Sequence, residues 1–139
     1  MESNFALHPQ LADDTFPVGD LALSHVLLAK DANYPWLILV PRRAGATELI
    51  DLSEDDQTQL LREIAAAGKA LKRVTQCEKL NIAALGNVVA QLHVHVIGRK
   101  ASDAAWPKAV WGVAPPVAYD VPARDSLIGA LRRALEIAG

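Results

Sequence analysis

The chain has 139 residues, of which 51% are hydrophobic and 22% charged. That length and balance describe a single globular domain with a sizeable core and exclude a disordered chain. A formal net charge of −2 and a pI near 6.0 exclude the global positive field that gathers nucleic acid polymers or acidic membranes, so an anionic partner has to be held locally.

No apolar run approaches the roughly 20 residues of a membrane span. The opening Met1-Glu2-Ser3-Asn4-Phe5 lacks the basic-then-apolar order of a secretory signal. The one cysteine, Cys77, rules out an internal disulfide, and a cytoplasmic location is the expectation. Cys77 follows a helical pattern and reads as a small apolar filler.

Residues 1–20 contain His8-Pro9 and Phe16-Pro17, both breakers. The expectation there is irregular chain with a short helical turn over Pro9–Asp13 and an exposed His8. Leu21–Lys30 reads as a first strand, Asp31-Ala32-Asn33-Tyr34-Pro35 as a turn, and Trp36–Val40 as a second strand ended by Pro41-Arg42-Arg43. A short Asp/Asn/Pro turn between apolar runs predicts an antiparallel hairpin with Asp31 at its tip.

Ser53 opens the clearest helix. A capping hydroxyl precedes Glu54, Asp55 and Asp56 in the first turn, where acids complement the positive helix end. Leu60, Leu61, Ile64, Gly68, Leu71 and Val74 recur at helical spacing, and Lys69, Lys72 and Arg73 suit the negative end. This predicts a long amphipathic helix packed across a sheet.

Lys79–Leu85 reads as a third strand, Gly86-Asn87 as a turn, and Val88–Arg99 as the next strand. The connection is too short for a crossover, so the pair is expected to be antiparallel. Residues 100–122, with Trp106-Pro107, Trp111-Gly112 and Pro115-Pro116, are expected to be ordered by packing. Pro122–Ala138, with Leu127, Leu131 and Leu135, predicts a closing helix. The class is α+β: an antiparallel sheet with a long helix packed on one face.

One stretch goes beyond scaffold. Gln91-Leu92-His93-Val94-His95-Val96-Ile97-Gly98-Arg99 alternates strictly, which sends Leu92, Val94 and Val96 to the core and Gln91, His93, His95 and Arg99 to the opposite face. Two of the four histidines therefore stand side by side. Three readings are open. The imidazoles are structural and bonded to their neighbours, or they ligate a metal, or one attacks phosphorus. Zinc would need a third or fourth ligand, which only His25 or Asp31 could supply, through the fold. Attack at phosphorus needs one imidazole nitrogen free while the other holds and donates the proton. His93 fits that nucleophile, with His95, Gln91 and the Gly86-Asn87 turn as donors to the phosphoryl oxygens. Arg99 reads as a phosphate contact or, on the blander view, a solvated strand end.

Gln91–Ile97 resembles the signature of the histidine triad family, His-φ-His-φ-His-φ-φ with φ apolar, with Gln91 in place of the first histidine. Asp31 after an apolar strand, Trp36–Pro41 with a following arginine, the long helix, Asn81, and Gly86-Asn87 ahead of the motif come in family order. The Trp106-Pro107 tail resembles the segment after the triad in the nucleotide-binding branch. The likeness covers roughly residues 20–112, leaving 113–139 as tail and closing helix, and is greatest to bacterial hydrolase-like members.

The resemblance implies a single domain over 1–139 with a sheet of about five strands, a long packed helix and a C-terminal helix. It implies nucleotide binding, and hydrolysis or transfer at the α-phosphate through a nucleotidyl-histidine intermediate. The implied substrates are a nucleoside phosphoramidate, an acyl-adenylate or a dinucleoside polyphosphate. The implied partner is a purine nucleotide or nucleotide conjugate. No cofactor is required, although a divalent cation can arrive with the nucleotide, and a homodimer is expected. His93 matches the nucleophile and His95 the histidine at the phosphate or leaving group. Gly86 and Asn87 match the phosphate loop, Asp31 the acid on the ribose hydroxyls, and Asn81 a further nucleotide-binding position. Asp31 and Asn87 are also ordinary turn residues. Gln91 can donate and accept hydrogen bonds but cannot carry charge or relay a proton near neutral pH. That departure implies slower turnover with binding retained, or a binding module with little turnover at all.

Overall fold

The computed structural model describes residues 4–137. Five strands form one antiparallel sheet: β1 (Thr15–Asp20), β2 (Ser24–Ala29), β3 (Trp36–Pro41), β4 (Lys79–Ala83) and β5 (Val94–Arg99). Their order is β1-β2-β3-β5-β4, so the histidine strand lies inside the sheet with β4 at one edge. Both expected hairpins form, β2 with β3 and β4 with β5.

β1 is the element that pattern reading missed, and the sheet begins at Thr15 where irregular chain was expected. Pro17 and Gly19 lie within it, and its pairing with β2 shifts register between them. An edge strand tolerates a residue that cannot donate to a ladder, and a bulge absorbs the break. The motif strand is shorter than its alternation suggests, starting at Val94 instead of Val88, because Leu92 N donates to Ala46 O, outside the sheet.

The long helix α2 (Glu54–Thr75) is capped by Ser53, whose hydroxyl accepts from Asp56 N at 3.1 Å. It packs through Leu60, Ala67, Gly68, Ala70 and Leu71. Leu61 departs from the expected stripe and is 66% exposed, since it sits about 100° around the helix from Leu60. Glu63 is buried within the stripe because both its oxygens cap backbone. Oε2 accepts from Leu23 N at 2.8 Å and Oε1 from Ser24 N at 3.0 Å. The closing helix α3 (Val121–Ala134) starts on an Asp120 cap and buries Leu131 against the same core. The expected helix ran to Ala138, which lies outside the described residues.

Val18, Val26, Leu28, Leu37, Leu39 and Val96 meet the helices on one side of the sheet, with Cys77 as buried filler. The other side carries a second apolar cluster of Leu27, Ala29, Ile38, Val40 and Val89. It is covered by the five-residue helix α1 (Pro9–Asp13) through Leu11 and by Leu7. The histidines open onto this second face. None of the described helices is long and apolar enough to cross a membrane.

Candidate functional site

Strand alternation and cross-strand register place the two histidines. Val94 and Val96 point to the helices, while His93 and His95 are buried on the opposite face at 7% and 6% exposure. Their ring centroids lie 5.0 Å apart at 72°. Ile38 of β3 pairs with His95, so Trp36, two residues earlier on the same strand face, comes beside it.

The hydrogen bonds fix the two tautomers in opposite senses. His93 Nδ1 lies 2.7 Å from Gln91 O. A carbonyl can only accept, so Nδ1 carries the proton and Nε2 holds a free lone pair. Trp36 Nε1 donates to His95 Nδ1 at 3.0 Å. An indole N–H can only donate, so the proton of neutral His95 sits on Nε2. Burial, and next the charge of a protonated His93, push the His95 pKa down to about 4. His95 is therefore neutral at pH 7, its Nε2–H available as a donor beside the His93 lone pair. Trp36 and Trp111 wall the His95 ring at 5.7 Å and 5.0 Å.

Both histidines line a cleft of about 690 Å³. Its floor is apolar, with Ala29, Ile38, Val89 and Leu11, and its rim holds Asp31, Gly86, Asn87 and Gln10. Gly86 has φ +74°, a conformation open to glycine at no steric cost, and it turns the chain from β4 toward the histidines. Asp31 is 8% exposed, and its Oδ1 accepts from Asn33 N at 3.0 Å and Val117 N at 3.3 Å. The same carboxylate therefore lines the cleft and ties the 115–117 segment over one end of it. The fold thus brings to one cleft five of the residues nominated from the sequence, His93, His95, Asp31, Gly86 and Asn87.

Three other residues stand elsewhere. Asn81 is on β4 toward Arg99, and its Oδ1 accepts from Arg99 Nη1 at 2.7 Å, away from the cleft. Arg99 is neither a phosphate contact nor a solvated strand end. It is 1% exposed, with Nε and Nη2 on the two oxygens of Asp103 at 2.7 and 3.0 Å and its guanidinium over the Tyr34 and Trp106 rings. The Arg99 guanidinium and three backbone N–H donors hold the Asp103 carboxyl down at about 2. This knot orders the chain that carries Trp111. Gln91 presents only its backbone carbonyl to the histidine pair, and its side-chain amide turns to residues 6 and 8.

Trp36 and Trp111 are cleft residues against His95 that sequence reasoning missed. The alternation of Trp36, Ile38 and Val40 along β3 was the available signal for the first. His25, weighed as a metal ligand, instead pairs with Asp20, and among the described residues no group of three or more His, Cys, Asp or Glu comes together.

The model of the HIT domain matches residues 11–102. Crystal structures of several histidine triad proteins superpose closely. One from Bradyrhizobium japonicum is 57% identical, with a TM-score of 0.93 over 94% of this chain and 98% of that one. One from Marinobacter aquaeolei VT8 is 43% identical, with a TM-score of 0.91 over 95% and 96%. One from Sinorhizobium meliloti 1021 is 39% identical, with a TM-score of 0.92 over 95% and 98%. None of the curated proteins matches significantly. The family match to about two thirds of the chain, the superpositions and the paired histidines converge on one assignment: the chain belongs to the HIT domain family, a superfamily of nucleotide-binding hydrolases and transferases.

Proposed function

We propose that this protein is a nucleotide hydrolase or transferase acting at the α-phosphate of a nucleoside phosphoramidate, an acyl-adenylate or a dinucleoside polyphosphate. The observation that carries the reading is the opposed tautomers: a lone pair on His93 Nε2 beside a proton on His95 Nε2. The lone pair forms a P–N bond as the bond from phosphorus to the leaving group breaks. The leaving group departs with that electron pair and takes its proton from solvent, while neutral His95 donates a hydrogen bond from Nε2–H to a phosphoryl oxygen. The charge this puts on the His93 ring is met at Nδ1 by the Gln91 carbonyl. Water then forms a P–O bond as the P–N bond breaks. The pair returns to Nε2, and the proton of water passes to solvent.

The rest of the cleft suits a nucleotide. Its apolar floor accepts a base, Asp31 accepts from ribose hydroxyls, and the Gly86-Asn87 turn faces the phosphates. No cofactor is required for these steps, and a divalent cation can arrive bound with the nucleotide substrate. A second reading, a binding module with little turnover, is favoured by one observation: the Gln91 amide is engaged with backbone away from the histidines. We also propose a homodimer, supported by the β4 edge and by the exposed Ile82, Leu85 and Val88 beside it.

The test is turnover of adenosine phosphoramidate, an acyl-adenylate and diadenosine polyphosphates by wild type and His93→Ala. Turnover of at least one substrate that is lost in the variant is expected. No turnover alongside measurable binding of adenosine monophosphate would instead establish the binding module.

A further inference from the structure

Gln91 breaks the histidine pattern, and the structure gives its side chain specific work. Both polar atoms of the amide meet backbone groups of one short segment more than 80 residues away. Oε1 accepts from His8 N at 2.9 Å, and Nε2 donates to Ala6 O at 2.8 Å. The pairing has one orientation, since a flipped amide would set donor against donor and acceptor against acceptor. An imidazole cannot close the same two bonds, because its nitrogens point away from each other. Methionine would match the length and make neither bond.

The segment so held leads directly into α1. His8 is the helix cap: its ring Nδ1 accepts from Gln10 N at 3.0 Å, and its carbonyl accepts from Ala12 N at 3.1 Å. Five residues are too few for a helix to persist by itself in water, so α1 needs anchors at both ends. Asp14 O, accepting from Lys30 N at 3.0 Å, supplies the far one. The Gln91 amide supplies the near one. Between these anchors α1 sets Leu11 into the cleft floor and Gln10 and Asp14 on its rim. The backbone carbonyl of Gln91 meanwhile holds His93 Nδ1.

We propose that Gln91 is a positioning residue whose side-chain amide straps residues 6–8 across the sheet and thereby fixes the α1 wall of the nucleotide cleft beside His93. The strap itself stands on the hydrogen bonds; its effect on nucleotides rests on the function proposed above. On this view glutamine at position 91 serves substrate binding through the wall and takes no proton.

Amide hydrogen exchange and steady-state kinetics on wild type, Gln91→Met and Gln91→His test it. Exchange at His8 N reads the Oε1 bond directly, and exchange at Leu37 and Val96 shows whether the fold is intact. The expectation is about tenfold faster exchange at His8 in Gln91→Met, equivalent to about 1.4 kcal/mol, with the core amides unchanged. KM for the turned-over substrate, or Kd for adenosine monophosphate, rises about fivefold, while kcat changes by less than about threefold. Unchanged exchange at His8 overturns the strap. A Gln91→His enzyme with kcat raised more than tenfold and KM unchanged overturns the positioning role, because position 91 would then act on the chemistry. A wild type that binds no nucleotide defeats the functional reading, and His8 exchange alone then decides the strap.

Discussion

Replacing Trp36 by phenylalanine removes one hydrogen bond and little volume, and it isolates what sets the state of His95. The indole donates to His95 Nδ1 at 3.0 Å. A bond of this kind contributes about 1 kcal/mol net, all of it to the neutral Nε2–H form, since both other forms carry a proton on Nδ1. Losing it shifts the ratio of the neutral tautomers about fivefold toward Nδ1–H. At 1.36 kcal/mol per pH unit, it also lifts the His95 pKa by about 0.7. The rise stays modest because burial, followed by the charge of a protonated His93, holds the value near 4. Long-range proton–nitrogen spectra of ¹⁵N-labelled protein between pH 3 and 8 read both quantities. In wild type at pH 7 they should show His93 protonated at Nδ1 and His95 at Nε2. A wild-type His95 titrating near 6.5, or a Trp36→Phe spectrum with tautomer and midpoint unmoved, would refute the reasoning.

The same residue makes stability depend on pH with a definite sign. Its folded pKa, about 4, lies below the unfolded value of about 6.5. Between those limits the unfolded chain binds a proton that the folded chain refuses, so stability falls as the pH falls through the window and is unaffected above it. The full effect is about 3 kcal/mol, and about 2 kcal/mol of it is lost between pH 7 and pH 5. Asp103, whose pKa is depressed to about 2, contributes stability above its unfolded value and loses it only at lower pH. Urea unfolding at pH 7 and pH 5 therefore separates the two, and equal stability at both would contradict the His95 assignment.

Asp103→Asn leaves the buried Arg99 guanidinium without its counter-charge, at a cost of about 3 kcal/mol. Thermal unfolding should move down by roughly 10 °C, and a shift under about 2 °C would show that the knot is not needed. Sedimentation at micromolar concentration should give a dimer through the β4 edge, with a monomer contradicting the proposed assembly.

The elements legible in the sequence are those whose pattern is local. Period-two alternation assigned His93 and His95 to one face and Val94 and Val96 to the other, and Ser53 with its three following acids marked the start of α2. β1 escaped because Pro17 and Gly19 argue against a strand unless it lies at an edge with a bulge. Edge position is a property of the assembled sheet. Arg99 escaped for a related reason. Alternation says which face a side chain takes, and it does not say whether chain from elsewhere covers that face.

The two histidines divide along the same line. The proton of His93 is placed by a carbonyl two residues back in its own strand approach, a contact that local chain geometry can supply. The proton of His95 is placed by Trp36, 59 residues away, through a β3–β5 register that only the whole sheet determines. The strap on Gln91 spans 83 and 85 residues. A motif of alternating residues therefore carries the identity of the paired histidines and places the proton of His93, while the protonation state of His95 comes from a partner that the motif does not contain.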